Sequence, residues 1–422
     1  MATLIFDIET DGLIPEMTQV HSLVIKDADD GTLHSCYPTG FKTIEDGLAI
    51  LAKADVIVGH NIIAFDLPAL QKIYPDWKPT GIVRDTLVLG HLLWPELKRT
   101  DWAKGAKQIP PKFRGRYSLE AFGHRLGKWK GDYSEDMKAQ GLDPWASWNP
   151  EMQRYCEQDV EVTLALWNWA AIRIAGKDDG ISFSERCIAL EHDVATIVTR
   201  QEAHGFLFDM KAAEALCVDL ISQRLEMGKS LGTLFPPWEV RTPFTPKANN
   251  KARGYEKGVL THKVKTTTFN PNSNDHITKC LKETRGWVPE AFGKDGKPTV
   301  DDAILSQLPW PEAQEIAKYK LIQKRIASLS EGAQSLMKAA KKDGRIHGRV
   351  QTNGAVTGRM THSSPPVAGT PKVQIGADKK PILGVAGGYG FEFRSLFISA
   401  PGFTLVGCDA DALELRCLAH YM

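Results

Sequence analysis

Apolar and polar positions alternate at the start of the chain and then settle into helical spacing. Residues 3–8 (TLIFDI), 20–25 (VHSLVI) and 55–58 (DVIV) predict three short strands, and 117–126 predicts a helix. Asn149 followed by Pro150 makes an N-cap and first-turn pair, opening a helix that runs through Tyr155, Asp159 and Leu166 to about residue 174. Strands interleaved with helices predict an α/β domain, closing in the stretch 176–180 between two glycines. Beyond it Phe183, Cys187, Leu190, Val194 and Ile197 recur at three- and four-residue spacing, the mark of an amphipathic helix that stops at Gly205. A second long helix is expected across 311–341. Residues 236–272 between them are too polar for a core and read as an exposed loop. From 348 to 391 the chain is rich in glycine and proline; then a strand at 404–408 is expected to meet Asp409 and turn into a helix. No internal repeat is present.

Composition narrows the class. A chain of 422 residues exceeds one ordinary core, and 42% hydrophobic with 24% charged residues excludes wholesale disorder. No apolar run approaches the roughly 18 residues of a membrane span. The start, MATLIFDIET, lacks a basic flank and carries an acid within its apolar stretch, so it does not read as a secretory signal. Seven cysteines, none in CxxC spacing, suggest reduced thiols rather than a disulfide framework or a zinc site. The formal charge of +1 hides an asymmetry: residues 1–180 carry 20 Lys and Arg against 26 Asp and Glu, a net of −6, and the remainder 32 against 25, a net of +7. Two stripes concentrate the excess, 241–268 with seven basic residues and one acid, and 318–350 with nine and two. Such density suits a polyanion, and a solvated surface is the alternative.

The chemistry lies in the acids. Asp7 and Glu9 stand two apart on the first strand, so both carboxylates leave the same face, as a pair of divalent cations requires. Asn61 and Asp66 sit in GHNIIAFDLPAL, where a strand hands over to a helix; Tyr155 and Asp159 lie one helical turn apart. Together the series DxE, NxxxxD and YxxxD resembles the proofreading exonucleases of the DEDDy class. That resemblance implies a ribonuclease H-like domain, a mixed central sheet with flanking helices, over residues 1–180. It implies two divalent ions, magnesium or alternatively manganese, with Asp7 bridging both, Glu9 and Asp159 holding the one nearer the nucleophile, and Asp66 supporting the other. Tyr155 would orient the attacking water and Asn61 would help place a single-stranded 3′ end. RYSLEAFGHRLG (116–127) also resembles a helix of that domain, through packing or strand contact.

NGAVTGRMT (353–361), FRSLF (393–397) and GCDADALELRCLAHYM (407–422) resemble family A DNA polymerases, most closely the replicative enzymes of short-tailed phages of the T-seven kind. The resemblance implies a mainly helical thumb over 181–347, with the polar stretch as a basic insertion, and the start of an α+β palm over 348–422. Asp409 would be the first catalytic, metal-binding aspartate of the palm and Glu414 the residue that excludes a ribose 2′-hydroxyl. Arg394 would face the incoming triphosphate and Arg359 the primer end. Primer-template DNA is the implied partner; Lys247, Lys251, Arg253 and Lys257 of the insertion are candidate DNA contacts, and a processivity protein could dock there. SSPPVAGTPKVQIG (363–376) departs from the family's proline-asparagine run, which leaves the role of this loop open. The later palm aspartate and the fingers are not in the sequence, so nucleotide addition is expected to require a C-terminal polypeptide, as from a split gene. Free-standing 3′-to-5′ exonuclease and non-catalytic DNA-binding assembly subunit are the alternatives. No membrane association is expected, and the cytoplasm of an infected bacterium is the expected location.

Overall fold

The alternation in the first ten residues builds the centre of a sheet. The computed structural model describes residues 2–103, 109–128, 131–293 and 296–422. Two compact units divide them, Met1–His204 with Arg349–Ser363, and Gly205–Gly348 with Ser364–Met422.

In the first unit β1 (Thr3–Thr10) pairs antiparallel with β2 (Val20–Asp27), which carries β3 (Leu33–Cys36) antiparallel at its outer edge. On its other side β1 runs parallel to β4 (Val56–Gly59), and β4 parallel to β5 (Ile82–Asp85), giving the mixed order β3-β2-β1-β4-β5. Period-two alternation gives β1 two buried faces. Leu4, Phe6 and Ile8 enter the core beneath α1 (Ile44–Leu51) and α2 (Asp66–Ile73). Ile5 enters a second cluster with Val24, Val58, Cys156 and Val160, the last two from the long helix Pro150–Ile174. Asp7 and Glu9 share the Ile5 face, so the same alternation that packs the strand delivers both acids to the long helix. That helix starts where the sequence puts it: Asn149 accepts the Met152 N–H at 2.8 Å and Pro150 is the first residue. Gly59 ends β4 because nothing larger fits; a Cβ there would lie 2.2 Å from Ile62 Cγ2 and 2.9 Å from the Phe6 carbonyl.

The amphipathic helix Glu185–His204 stops at Gly205, whose φ of +64° suits glycine. It differs from expectation twice. Its buried residues are Ile188, His192 and Ala195, whereas Leu190 and Ile197 of the apolar series are 57% and 60% exposed. It also packs with the first unit: Ile188 joins Leu89 and Leu93 of α3 (Thr86–Leu93), and Ala195 joins Ile63 and Val88. Compactness therefore divides the chain at 204, past the expected boundary at 180. The hairpin Arg349–Gln351 with Thr361–Ser363 belongs to the same unit, where Asn353 donates to Glu191.

The second unit is mainly helical. Met210–Leu234 packs along Pro311–Ile326 through Cys217, Leu220, Ile322 and Ile326. A small antiparallel sheet joins Phe206–Phe208 to Arg345–Ile346 and Phe397–Ile398. Three expectations are corrected here. The helix expected over 311–341 ends at Ile326, widens through Ala327–Glu331 and breaks at Gly332, where a Cβ would stand 2.6 Å from the Ala327 carbonyl. The stretch 236–272 is exposed but is no loop: Trp238–Phe244 and Thr261–Thr267 form an antiparallel hairpin whose central residues all face solvent, held by its backbone ladder without a buried face. Residues 404–408 form no strand, since no described strand runs beside them to take their backbone groups, and 401–422 are exposed throughout. The helix beyond, Leu413–Tyr421, does form, with Leu415, Leu418 and Tyr421 exposed at 68%, 56% and 86%. No helix among the described residues is long and apolar enough to cross a membrane.

Candidate active site

Three elements bring four carboxylates toward one end of the sheet. β1 supplies Asp7, half-buried, and Glu9, 9% exposed. Asp66, 4% exposed, is the first residue of α2, and its Oδ1 accepts the Ile8 backbone N–H at 3.3 Å, which ties α2 to β1 beyond the last pair with β4, Ile5 with Val58. Burial, then the nearby Asp7 charge, pushes the Asp66 carboxyl well above the usual carboxylate range. The long helix supplies Tyr155, half-buried, and Asp159, 3% exposed. It docks on β1 through Cys156, whose Sγ lies 3.4 Å from the Asp7 carbonyl oxygen and 3.6 Å from Asp7 Oδ2. Cys156 and Asp159 are three residues apart and so share a helix face. Among the described residues, ligand atoms of Asp7, Glu9 and Cys156 lie within 4.8 Å of one another. The Tyr155 ring rests 5.6 Å from that of Tyr133, whose hydroxyl donates to the Pro144 carbonyl at 2.7 Å and accepts from the helix-capping Asn149 at 2.8 Å.

Asn61 takes a left-handed turn, φ +65°, which asparagine tolerates better than most residues. A residue the sequence pattern does not single out makes that turn. Asp85, 2% exposed, accepts backbone N–H groups of Asn61 at 2.8 Å, Ile63 at 3.0 Å and Leu87 at 2.8 Å, while its own N–H donates to His192 Nε2 at 2.8 Å. Burial raises the Asp85 carboxyl, and burial lowers the pKa of His192. The only local signal for Asp85 was its place before α3, where an N-cap belongs. Within 116–127 the described contacts are packing ones. Leu119, Ala121 and Phe122 are buried, and Arg125 pairs with Asp101 at 2.7 Å with both side chains near 5% exposed.

The polymerase-like residues are all exposed. Arg359 is exposed on the hairpin of the first unit. In the second unit Arg394 is exposed, its Nε donating to the Pro371 carbonyl at 2.9 Å, and Asp409 and Glu414 lie in the exposed stretch 401–422. Lys247, Lys251, Arg253 and Lys257 are all exposed on the segment joining the two hairpin strands, Trp238–Phe244 and Thr261–Thr267.

Comparison with known proteins gives two family matches, the RNase_H superfamily over residues 4–171 and DNA polymerase family A over residues 245–422. The DNA-directed DNA polymerases of Enterobacteria phage T3 and Escherichia phage T7 are each 34% identical to this chain over 501 aligned positions, covering 99% of it and 69% of the relative. Among solved structures, the POL domain of Pol1 from M. smegmatis, in complex with DNA primer-template and dNTP, aligns with a TM-score of 0.58 at 15% identity, over 95% of this chain. The chain spans 55% of the length of that solved chain.

Proposed function

Because the chain belongs to DNA polymerase family A, we propose that its first unit is a metal-dependent 3′-to-5′ exonuclease serving a replicative polymerase. The observation that carries this is the convergence of Asp7, Glu9 and the deeply buried Asp66 around one end of β1. Carboxylates so close, with Asp66 held against its own burial and against Asp7, are costly to ionise until cations neutralise them, and hard divalent ions take oxygen donors. The residue set therefore fits the magnesium or manganese pair.

Asp7, Glu9, Asp66 and Asp159 would hold that pair. When bound, the ions make water a stronger nucleophile at neutral pH and stabilise charge on the phosphodiester. The protein's own groups supply the rest. The Tyr155 hydroxyl, its ring braced by Tyr133, orients the attacking water. Asn61, fixed by Asp85, directs its amide at the 3′-terminal strand.

The remaining chain, in this reading, is a DNA-gripping thumb followed by the beginning of a palm, with Asp409, Glu414, Arg394 and Arg359 in the roles their motifs imply. Nucleotide addition then draws on palm and fingers elements that these 422 residues do not include. The chain on its own is expected to extend no primer, and extension that begins on adding a polypeptide bearing those elements and stops with Asp409→Ala supports the assignment. The nuclease is tested with single-stranded DNA labelled at the 5′ end: stepwise shortening that needs magnesium or manganese, and disappears in Asp7→Ala with Glu9→Ala. Digestion by the double variant at the parent rate refutes the site.

A further inference from the structure

The first unit carries a basic island that its overall charge conceals. Residues 97–116 hold seven Lys and Arg against one acid, a net of +6, so the other residues of 1–180 carry 13 against 25, a net of −12. Lys104 and Lys107 of that stretch lie outside the described residues. The described part builds a surface. On α4 (Leu97–Ala103) Leu97 and Asp101 are buried, while Lys98, Arg99 and Trp102 share the exposed face at three- and four-residue spacing. Asp101 holds that face in place: it pairs with Arg125 and accepts the Gly115 N–H at 2.8 Å, which brings the segment 110–116 against the helix. Arg114 stacks its guanidinium 4.5 Å from the Trp102 ring centroid, yet Trp102 stays 59% exposed. Pro95, Glu96, Lys98, Arg99 and Trp102 line a cavity of about 340 Å³ together with Val356, from the hairpin loop 352–360 that also carries Arg359. The acid in this wall, Glu96, pairs with Arg99.

We propose that this surface is a second binding site for single-stranded DNA, anchoring the strand away from its reacting end; this rests on the reading of the first unit as a nuclease of single strands. Cations beside a flat, exposed indole match what a single strand offers, phosphates together with bare base faces. A duplex offers the phosphates alone, because its base faces are stacked away, and an acidic peptide needs no flat platform. Position fits the role. The helix α3 runs from Asp85, which fixes the Asn61 turn, to Leu93, two residues before Pro95, and its eight residues span about 12 Å. At about 3.4 Å per stacked nucleotide, a strand needs roughly four nucleotides to bridge the two ends.

The test uses the full chain in two assays. In chelator, where no strand is cut, fluorescence anisotropy reads binding of a labelled oligothymidylate of about sixteen nucleotides and of a blunt duplex of equal length. Trp102→Ala should weaken the single strand at least about fivefold, the low end of what one base stacked on an aromatic ring contributes, and leave the duplex unchanged. Trp102→Phe, which keeps a flat ring, should retain most of that affinity. Lys98→Gln should lower the salt slope of single-strand binding by about 0.7, the share of one phosphate. With magnesium present, Trp102→Ala should raise KM for the long strand at unchanged kcat, and leave a trinucleotide, too short to reach the surface, cut as by the parent. Parent-like binding of the long strand by Trp102→Ala overturns the proposal, as does an equal loss for duplex or an equal rise in KM for both lengths. Both substitutions change exposed side chains, so the fold is not at stake. The nuclease reading is judged separately: if the parent cuts neither substrate that reading fails, while the binding comparison in chelator still decides whether the surface holds a single strand.

Discussion

Substituting Asp85 separates the scaffold of the site from its chemistry. Its Oδ1 accepts from Asn61 and Leu87, its Oδ2 from Ile63, and all three donors are backbone N–H groups that the fold leaves with no better partner. Asparagine retains one oxygen and can keep the Asn61 and Leu87 bonds, but it then points an amide N–H at the Ile63 N–H. One buried donor loses its acceptor, at about 1–3 kcal/mol, and the two surviving bonds lose their charge assistance. About 2 kcal/mol for Asp85→Asn and about 4 kcal/mol for Asp85→Ala follow, the second limited by water entering the smaller side chain's space. The functional effect should exceed the stability effect. The three bonds fix the turn at Asn61 and the approach to Asp66, and a displacement near 1 Å in a positioned group can cost about 10² in rate. Urea unfolding of the full chain, followed by circular dichroism, reads the first quantity; single-turnover shortening of labelled single-stranded DNA, well below the transition, reads the second. A variant that unfolds with the parent and cuts at the parent rate refutes the reasoning. Loss of stability with an unchanged rate confines Asp85 to capping α3.

Three further outcomes are expected. Tyr155→Phe removes only a hydroxyl, so the nuclease rate should fall about 10²-fold with stability nearly unchanged; an unaltered rate makes the ring a packing partner of Tyr133. His91 stacks on Tyr117 at 3.8 Å and hydrogen-bonds the Asn353 backbone, and burial lowers its pKa from 6.5 to about 4. The unfolded chain therefore takes up this proton first as pH falls, so the stabilisation is complete above pH 6.5 and is lost toward pH 4, about 3 kcal/mol in all; His91→Gln should flatten that part of the melting profile, and an unchanged profile assigns the acid lability elsewhere. Replacing Lys247, Lys251, Arg253 and Lys257 by glutamine should reduce the salt slope of duplex binding by up to about 3–4 if each meets a phosphate; an unchanged slope takes this segment off the DNA.

What the sequence disclosed is what local geometry dictates. Two residues two apart on a strand share a face whatever the strand packs against, so Asp7 and Glu9 were legible together, and Asn149 with Pro150 set the start of the long helix because capping chemistry is local. The helix Glu185–His204 shows the limit. Its apolar series pointed to Leu190 and Ile197, yet the buried face carries His192, because that imidazole answers Asp85 across 107 positions of sequence. A periodicity scale counts histidine as polar and shifts the face accordingly. The expected strand at 404–408 failed for the complementary reason: its residues favour extended backbone, but a strand exists only beside another, and none of the described strands lies there.

The same distinction explains which part of the site stayed hidden. The acids announce themselves by type and order, but their setting depends on contacts that no window of sequence contains, Cys156 meeting Asp7 across 149 positions and Asp85 meeting Asn61 across 24. Those contacts decide how the charges behave. With Asp66 tied to the Ile8 N–H and faced by Asp7, the ionised cluster is strained in the absence of cations, so the folded protein holds a proton that the unfolded chain releases. The chain stripped of metal should accordingly gain stability from this group as pH falls through the raised Asp66 pKa. Added manganese, which supplies the neutralising charge directly, should abolish that gain. Melting the chelator-treated protein over a descending pH series, with Asp66→Asn as the control that lacks the titrating group, isolates this rise, because the His91 loss is common to both proteins and cancels in their difference. If parent and Asp66→Asn track each other with and without manganese, the buried acid is not part of a cation site.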